Sequence, residues 1–342
     1  MKKNYDIEDR QKLLGEMVLE TFNFDNGSHV CIENKKILDS IKVKNRFGTP
    51  SAFGEAWIGE FNKKIVAIKK IVLAKIDIQD SFTKQQFLSG KSAWPEMATY
   101  IFCSIFVLAK VNPCLPITFR YYLCNECKFV NKRLGKNKKP CLITLNEMGE
   151  GDLKMYLTKK IKIWNYDLVT NCIFQITSAL YTFKKYLNMT HNDLHWGNVL
   201  VHEIKPGGFW KYTIDKIDYY VPNLGFLFVL WDFGMVDIPK KIKGPNAKGP
   251  DDYNDLQNIC SIMLDDLERK RIVRGHHLLN KIVDYGDNIP LKNILKNNFN
   301  EYQNFIPCKK DNIIESFNMD LSVAKLKKLC PDQLDYLLVN KI

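Results

Sequence analysis

Asp193 and Asn198 stand five positions apart in His191-Asn192-Asp193-Leu194-His195-Trp196-Gly197-Asn198, and Lys69 and Asp232 lie before and after them. A carboxylate such as Asp193 can orient a hydroxyl and accept its proton. The Asn198 amide oxygen and the Asp232 carboxylate are hard donors of the kind a Mg²⁺ ion takes. An amine such as Lys69 can meet phosphate oxygens. Together these types suit phosphoryl transfer from a nucleotide.

Such side chains need elements that aim them. Val199-Leu200-Val201 reads as a strand leaving the polar loop, and Phe226 to Trp231 as a buried strand that delivers Asp232-Phe233-Gly234. Ile65-Val66-Ala67-Ile68-Lys69 alternates like a strand and carries its amine at the end. Before it, Phe47 to Gly59 sets small residues and glycines between extended segments, so backbone N–H groups can approach phosphate oxygens. Glu96 is the single Glu between Lys69 and Asn125, and it opens a helix whose start is marked by Pro95. It is the candidate partner of Lys69; the alternative is that it only complements the helix dipole.

The apolar helix after Glu96 is expected to end near Lys110 to Pro113, with a strand over 115–123 and an exposed basic hairpin loop over 124–141. Cys141 to Leu153 reads as a strand, a short linker and a helix capped by Asp152. The periodicity predicts an amphipathic helix over 165–188. Gly207-Gly208, Tyr212 to Ile214 and Tyr219 to Pro222 suggest a β-hairpin inserted before Asp232. The chain beyond Gly234 reads as helices to Ile342. Residues 1–40 form an N-terminal extension, helical in period from Glu8 to Thr21, with no chemistry of its own.

In this order, residues 46–262 resemble a eukaryotic-type protein kinase domain. Asp193 to Asn198 matches the catalytic-loop pattern, Val66-Ala67-Ile68-Lys69 the lysine strand, and Asp232-Phe233-Gly234 the metal-binding turn. The phrase from Asp193 to Leu200, the long hairpin and the short segment after Gly234 are closest to haspin-like kinases and to serine/threonine kinases of large DNA viruses. The resemblance implies an α+β, bilobal kinase-like fold: an extension over 1–40, a small β-rich N-lobe over 41–148 and a larger helical C-lobe over 149–342. It implies ATP and Mg²⁺, with Asp193 as base, Asn198 and Asp232 on the metal, and Lys69, fixed by Glu96, on the α/β-phosphates.

The same resemblance assigns the nucleotide surroundings. The backbone from Gly48 through Ser51 and Phe53 to Gly54 would cover the phosphates, with Ser51 where the family carries its central glycine. Ala56, Ala67 and Leu200 would also contact the nucleotide. Leu145 falls at the gatekeeper position, the backbone of Asn146, Glu147 and Met148 would face adenine, and Asp152 would lie near the ribose. Asp255, in Asp252 to Ile259, matches the Asp that anchors the catalytic loop. His195 stands where many relatives place a Lys beside the γ-phosphate. Asn192 stands where regulated kinases carry an Arg for a phosphorylated loop, which implies activity without that phosphorylation. No A-P-E follows Gly234.

The chain has 342 residues, 46% hydrophobic and 26% charged, with a net charge of +12. That excludes a largely disordered chain. The positive charge has two readings: an AT-rich coding bias, or attraction to acidic or nucleic-acid-associated protein partners. Ten cysteines without a signal-peptide pattern suggest reduced thiols inside a cell, in cytoplasm or nucleus. Cys124-Asn125-Glu126-Cys127 has zinc-ligand spacing, with Cys114 and Cys141 near in sequence, but lacks a matched second pair. No apolar run is long enough to span a bilayer. Two rivals to a protein kinase stay open: a small-molecule kinase of the aminoglycoside or choline type, and a non-catalytic scaffold.

Overall fold

The computed structural model describes residues 10, 41–47, 54–61, 64–73, 93–128, 130, 139–236, 252–270, 275–285, 289–305, 307, 313–322 and 324–326. Strands β1 (Lys42–Phe47), β2 (Gly54–Phe61), β3 (Lys64–Val72), β4 (Thr118–Cys127) and β5 (Lys139–Asn146) form an antiparallel sheet in the order β1-β2-β3-β5-β4. Val66, Ala67, Ile68 and Ile71 of β3 are buried, while Ile65 at its start is exposed. Gly54 is required by a close approach, because a Cβ there would lie 2.3 Å from the Lys70 carbonyl oxygen across the strand pair.

Helix α1 (Trp94–Leu108) has Pro95 in its first turn, as the sequence suggests. Its residues from Trp94 to Val107 are all buried. Two of its buried hydroxyls bond back within the helix, Thr99 Oγ1 donating to Pro95 O and Ser104 Oγ to Tyr100 O. The chain leaves through Lys110, whose φ of 54° ends the helix.

Residues from 149 onward are mainly helical. A two-residue strand β6 (Gly151–Asp152) leads into α2 (Leu153–Lys159), and Asp152 caps that helix by accepting from Met155 N at 2.7 Å. Then come α3 (Tyr166–Thr182) with a π-turn over Phe183–Leu187, and β7 (Val199–Glu203). A hairpin of β8 (Phe209–Ile214) and β9 (Ile217–Pro222) precedes β10 (Phe226–Leu230). Strands β10-β7-β6 make one small sheet. Helices α4 (Asp252–Arg269), α5 (His276–Val283), α6 (Leu291–Asn298) and α7 (Asn300–Asn304) follow. A β-rich N-terminal region joined to a helical C-terminal part is the bilobal, kinase-like α+β architecture. Among the described residues, no helix is long and apolar enough to cross a membrane.

Four readings from sequence need correction. The helix over 165–188 is not amphipathic in the fold: α3 is buried from Leu168 to Thr182 on every face. Its polar row is covered by the inserted hairpin and β10, with Asn171 Nδ2 donating to Pro222 O, Gln175 Nε2 to Phe226 O and Phe228 N to Gln175 Oε1. The chain beyond Gly234 is not wholly helical, since β11 (Ile313–Asn318) pairs parallel with β8 and makes a third sheet, β11-β8-β9. The basic loop begins later than expected, because β4 runs to Cys127 and β5 starts at Lys139. The cysteines are not all thiols: Cys127 and Cys141 are joined as a disulfide, brought together by β4–β5 pairing. The periodicity over Glu8 to Thr21 lies outside the described residues except for Arg10.

Candidate active site

The register of β3 carries Lys69 opposite Ala56 on one side and Thr144 on the other, in the middle of the sheet. Its amine donates to Glu96 Oε1 on α1 and, at 2.6 Å, to Asp232 Oδ1. One cation thus ties sheet, helix and the turn after β10 together. Burial pulls the Lys69 amine down, but the Asp232 and Glu96 carboxylates outweigh it and hold the amine well above its usual range. Burial raises Glu96, against the pull of Lys69. For Asp232 burial also raises the carboxyl, but Lys69 and the Gly234 N–H prevail and lower it. Asp232 has φ 63°, a left-handed conformation uncommon for Asp.

The loop before β7 is held from below. Asp255 on α4 accepts from His191 N at 2.7 Å and Asn192 N at 3.2 Å, and Asn258, one turn on, donates to Leu194 O at 2.8 Å. His191 is fully buried, its Nε2 2.9 Å from Trp231 O, while Trp231 N donates to Asn198 O at 2.8 Å. These bonds lock the loop to the residue just before Asp232. Asn198 Nδ2 donates to Asp193 O at 2.8 Å and lies 3.4 Å from Asp193 Oδ2, so Oδ1 is the amide atom that could hold a metal ion. Asp193 itself is exposed. Phe233 is buried between Tyr100, Phe183 and His191, with ring centroids 5.0, 5.2 and 5.4 Å away, so the turn is anchored under α1.

His195 caps the short turn Trp196–Asn198, its Nδ1 accepting from Gly197 N at 3.0 Å. With Nδ1 accepting there, Nε2 is the ring nitrogen left to donate. Asn192 adopts φ 60°, accepts from Thr190 Oγ1 and donates to Met235 O at 3.2 Å, a neutral tie between the loop and the segment after Gly234.

The strand-to-helix linker is fastened by a residue that periodicity does not reveal. Arg10 is buried and forms a forked pair with Glu147, at 2.5 and 3.1 Å, while donating to Pro113 O and Leu115 O. Burial raises the Glu147 carboxyl, but Arg10 prevails and lowers it. Glu147 N donates to Ile117 O, so the amide and the carboxylate both face inward. The Glu147 N–H expected to face adenine is thus already bonded within the fold.

A family model described as the haspin-like kinase domain matches residues 16–285, most of the chain. The chain belongs to the haspin-like kinase family. It is 26% identical over 219 residues to 380R of Invertebrate iridescent virus 6, named a probable serine/threonine-protein kinase, covering 60% of this chain and 39% of that one. It is 30% identical over 137 residues to 019R of Frog virus 3, which carries a provisional name of the same kind, covering 39% and 16%. An uncharacterized mimivirus protein, R403, is 42% identical over 77 residues, covering 20% and 9%. The chain therefore spans well under half of each of these relatives, and it is a kinase-family domain by its own match.

Within this haspin-like kinase domain, the fold brings Lys69, Glu96 and Asp232 into contact, and Asp193, His195 and Asn198 onto one braced loop. Leu200 lies on β7 beneath the linker, its Cβ 3.2 Å from where a Gly149 Cβ would stand. Leu145 is buried at the end of β5, Ala67 pairs with Asn146, and Met148 is partly buried beyond them. Gly48, Ser51 and Phe53 lie outside the described residues. Two positioning residues escaped sequence reading. The spacing Asp255-x-x-Asn258, one turn apart on one helix face, could have found Asn258, whereas Arg10 gave no signal because its partner is 137 residues away.

Proposed function

We propose that this chain is an ATP-dependent serine/threonine protein kinase that transfers the γ-phosphate to a protein hydroxyl. The observation that carries the reading is Lys69 held between Glu96 and Asp232 while the Asp193–Asn198 loop is bonded to the residue before Asp232. Asp193 orients the acceptor hydroxyl and takes its proton. Lys69, kept charged by two carboxylates, grips the α/β-phosphates, and His195 Nε2–H is a donor for the γ-phosphate. Gly54, Ala56, Ala67, Leu145, Met148 and Leu200 border the nucleotide, Asn146 and the Glu147 carbonyl lie along its base, and Asp152 lies near the ribose.

Asn198 Oδ1 and the Asp232 carboxylate are hard oxygen donors, and this pair fits Mg²⁺. When bound, the ion offsets charge on the phosphate oxygens. The lobes meet near residue 148, with 41–148 as N-lobe, 149–342 as C-lobe and 1–40 as an extension. The neutral tie from Asn192 to Met235 supports activity without a phosphorylated loop. The charge of +12 favours an acidic or nucleic-acid-associated substrate protein, and the viral relatives favour a viral origin and action inside a host cell.

Incubation with radiolabelled ATP and, in parallel, a protein panel and a metabolite panel tests the reading. Label on Ser and Thr of proteins is expected. Label on a metabolite alone overturns it in favour of a small-molecule kinase.

A further inference from the structure

The fold gathers Cys124, Cys127 and Cys141 at the loop end of the β4–β5 hairpin, away from the residues just described. All three sulfurs lie within 4.8 Å of one another, and all three residues are buried. Alternation along a strand would send residues three apart to opposite faces, so Cys124 and Cys127 should point away from each other. They do not, because of a bulge. Cys124 pairs with Cys141 and Cys127 with Lys139, so three steps on β4 match two on β5. That extra residue turns Cys127 onto the face of Cys124 and Cys141.

We propose that in the reduced chain these three cysteines bind a thiophilic divalent cation of the zinc class. Four sulfurs at about 2.3 Å around tetrahedral zinc stand about 3.8 Å apart, within the spread seen here. Soft thiolates select such an ion over Mg²⁺. Among the described residues three donors gather, and the fourth position is open to water or to another donor. Lys139 pairs with Cys127 across the strands and Lys128 follows it in the chain, so two cations belong to the segment that carries the cluster.

The Cys127–Cys141 disulfide is the alternative state of the same cluster. A dithiol or phosphine reductant supplies two electrons, two protons complete the thiols, and three protons leave as the cation binds. The site then clamps the hairpin end by a metal instead of by one S–S bond.

The test uses the full chain, reduced with a phosphine without oxygen and stripped of metal. Titration with Co²⁺ should give thiolate-to-cobalt absorption saturating at one equivalent, and Zn²⁺ should bleach it. Cys124→Ser, Cys127→Ser and Cys141→Ser should each lose that absorption, whereas Cys172→Ser in α3 should keep it. Zinc should raise the Tm of the reduced wild type but not of Cys124→Ser, provided circular dichroism shows the variant folded. Absence of thiolate absorption in the reduced wild type overturns the proposal, as does full absorption in Cys141→Ser. A wild type that resists reduction and takes up no cobalt also overturns it, leaving the disulfide as the only role of the pair.

Discussion

At the scale of single residues, the loop depends on small groups that let charged ones take their places. A Cβ on Gly197 would stand 2.9 Å from His195 Cε1 and 3.1 Å from its Nδ1. Gly197→Ala therefore drives the imidazole off its N–H bond and moves the Nε2 donor, while the buried frame beneath the loop is untouched. Transfer is expected to fall about 10- to 100-fold, the scale of an ångström-sized misplacement, with Tm nearly unchanged. Steady-state rates beside a melting curve check this, and an unaltered kcat would remove His195 from the reaction. These residues were legible in the sequence because their spacing within one short loop, or within one strand, carries the pattern. Glu96 was legible by elimination. Asn192 was legible as a missing charge, but its bond to Met235 was not, since that contact depends on where the chain turns after Phe233.

At the scale of elements, sequence reading failed where one element covers another. The polar row of α3 looks like a solvent face, yet the inserted hairpin and β10 bury it and use every amide. Gln175 donates to Asn171 Oδ1 and Phe226 O and accepts from Phe228 N and Cys114 Sγ, so Gln175→Leu removes four bonds from this covered face. A loss of about 1–3 kcal/mol is expected, measured by urea unfolding. A stability equal to wild type would mean that this face is not buried. Strand β11 was missed for a related reason: a six-residue run has little period of its own, and its partner β8 lies about a hundred residues earlier.

The Arg10–Glu147 pair belongs to this scale too, because it fastens the start of the chain to the linker between the regions. Glu147→Gln leaves a buried guanidinium without its counter-charge and should cost about 3–5 kcal/mol. Its pH dependence has a definite sign. The Glu147 carboxyl lies below its usual range when folded, so the unfolded chain binds the extra proton in that interval. The stabilisation is present above the ordinary Glu range and is lost as pH falls through the lowered folded value. Glu147→Gln should therefore flatten the acid limb of a stability-versus-pH curve. A parallel decline in wild type and variant would contradict the pairing.

At the scale of the whole molecule, two regions are connected through Lys69. Sheet, α1 and the Asp232 turn share its amine, and α4 braces the loop that carries Asp193 and Asn198. Asn192 meets Met235 O without a charge, and on the function proposed above the segment after Gly234 needs no phosphate. The most direct measurement is γ-phosphate transfer from radiolabelled ATP to protein by chain pretreated with phosphatase, beside its Asp193→Asn form. The account predicts labelled Ser and Thr with the treated wild type and a rate lower by about 10²- to 10⁴-fold in the variant. Equal labelling by the two forms, or none by the treated wild type where untreated chain is active, would contradict it.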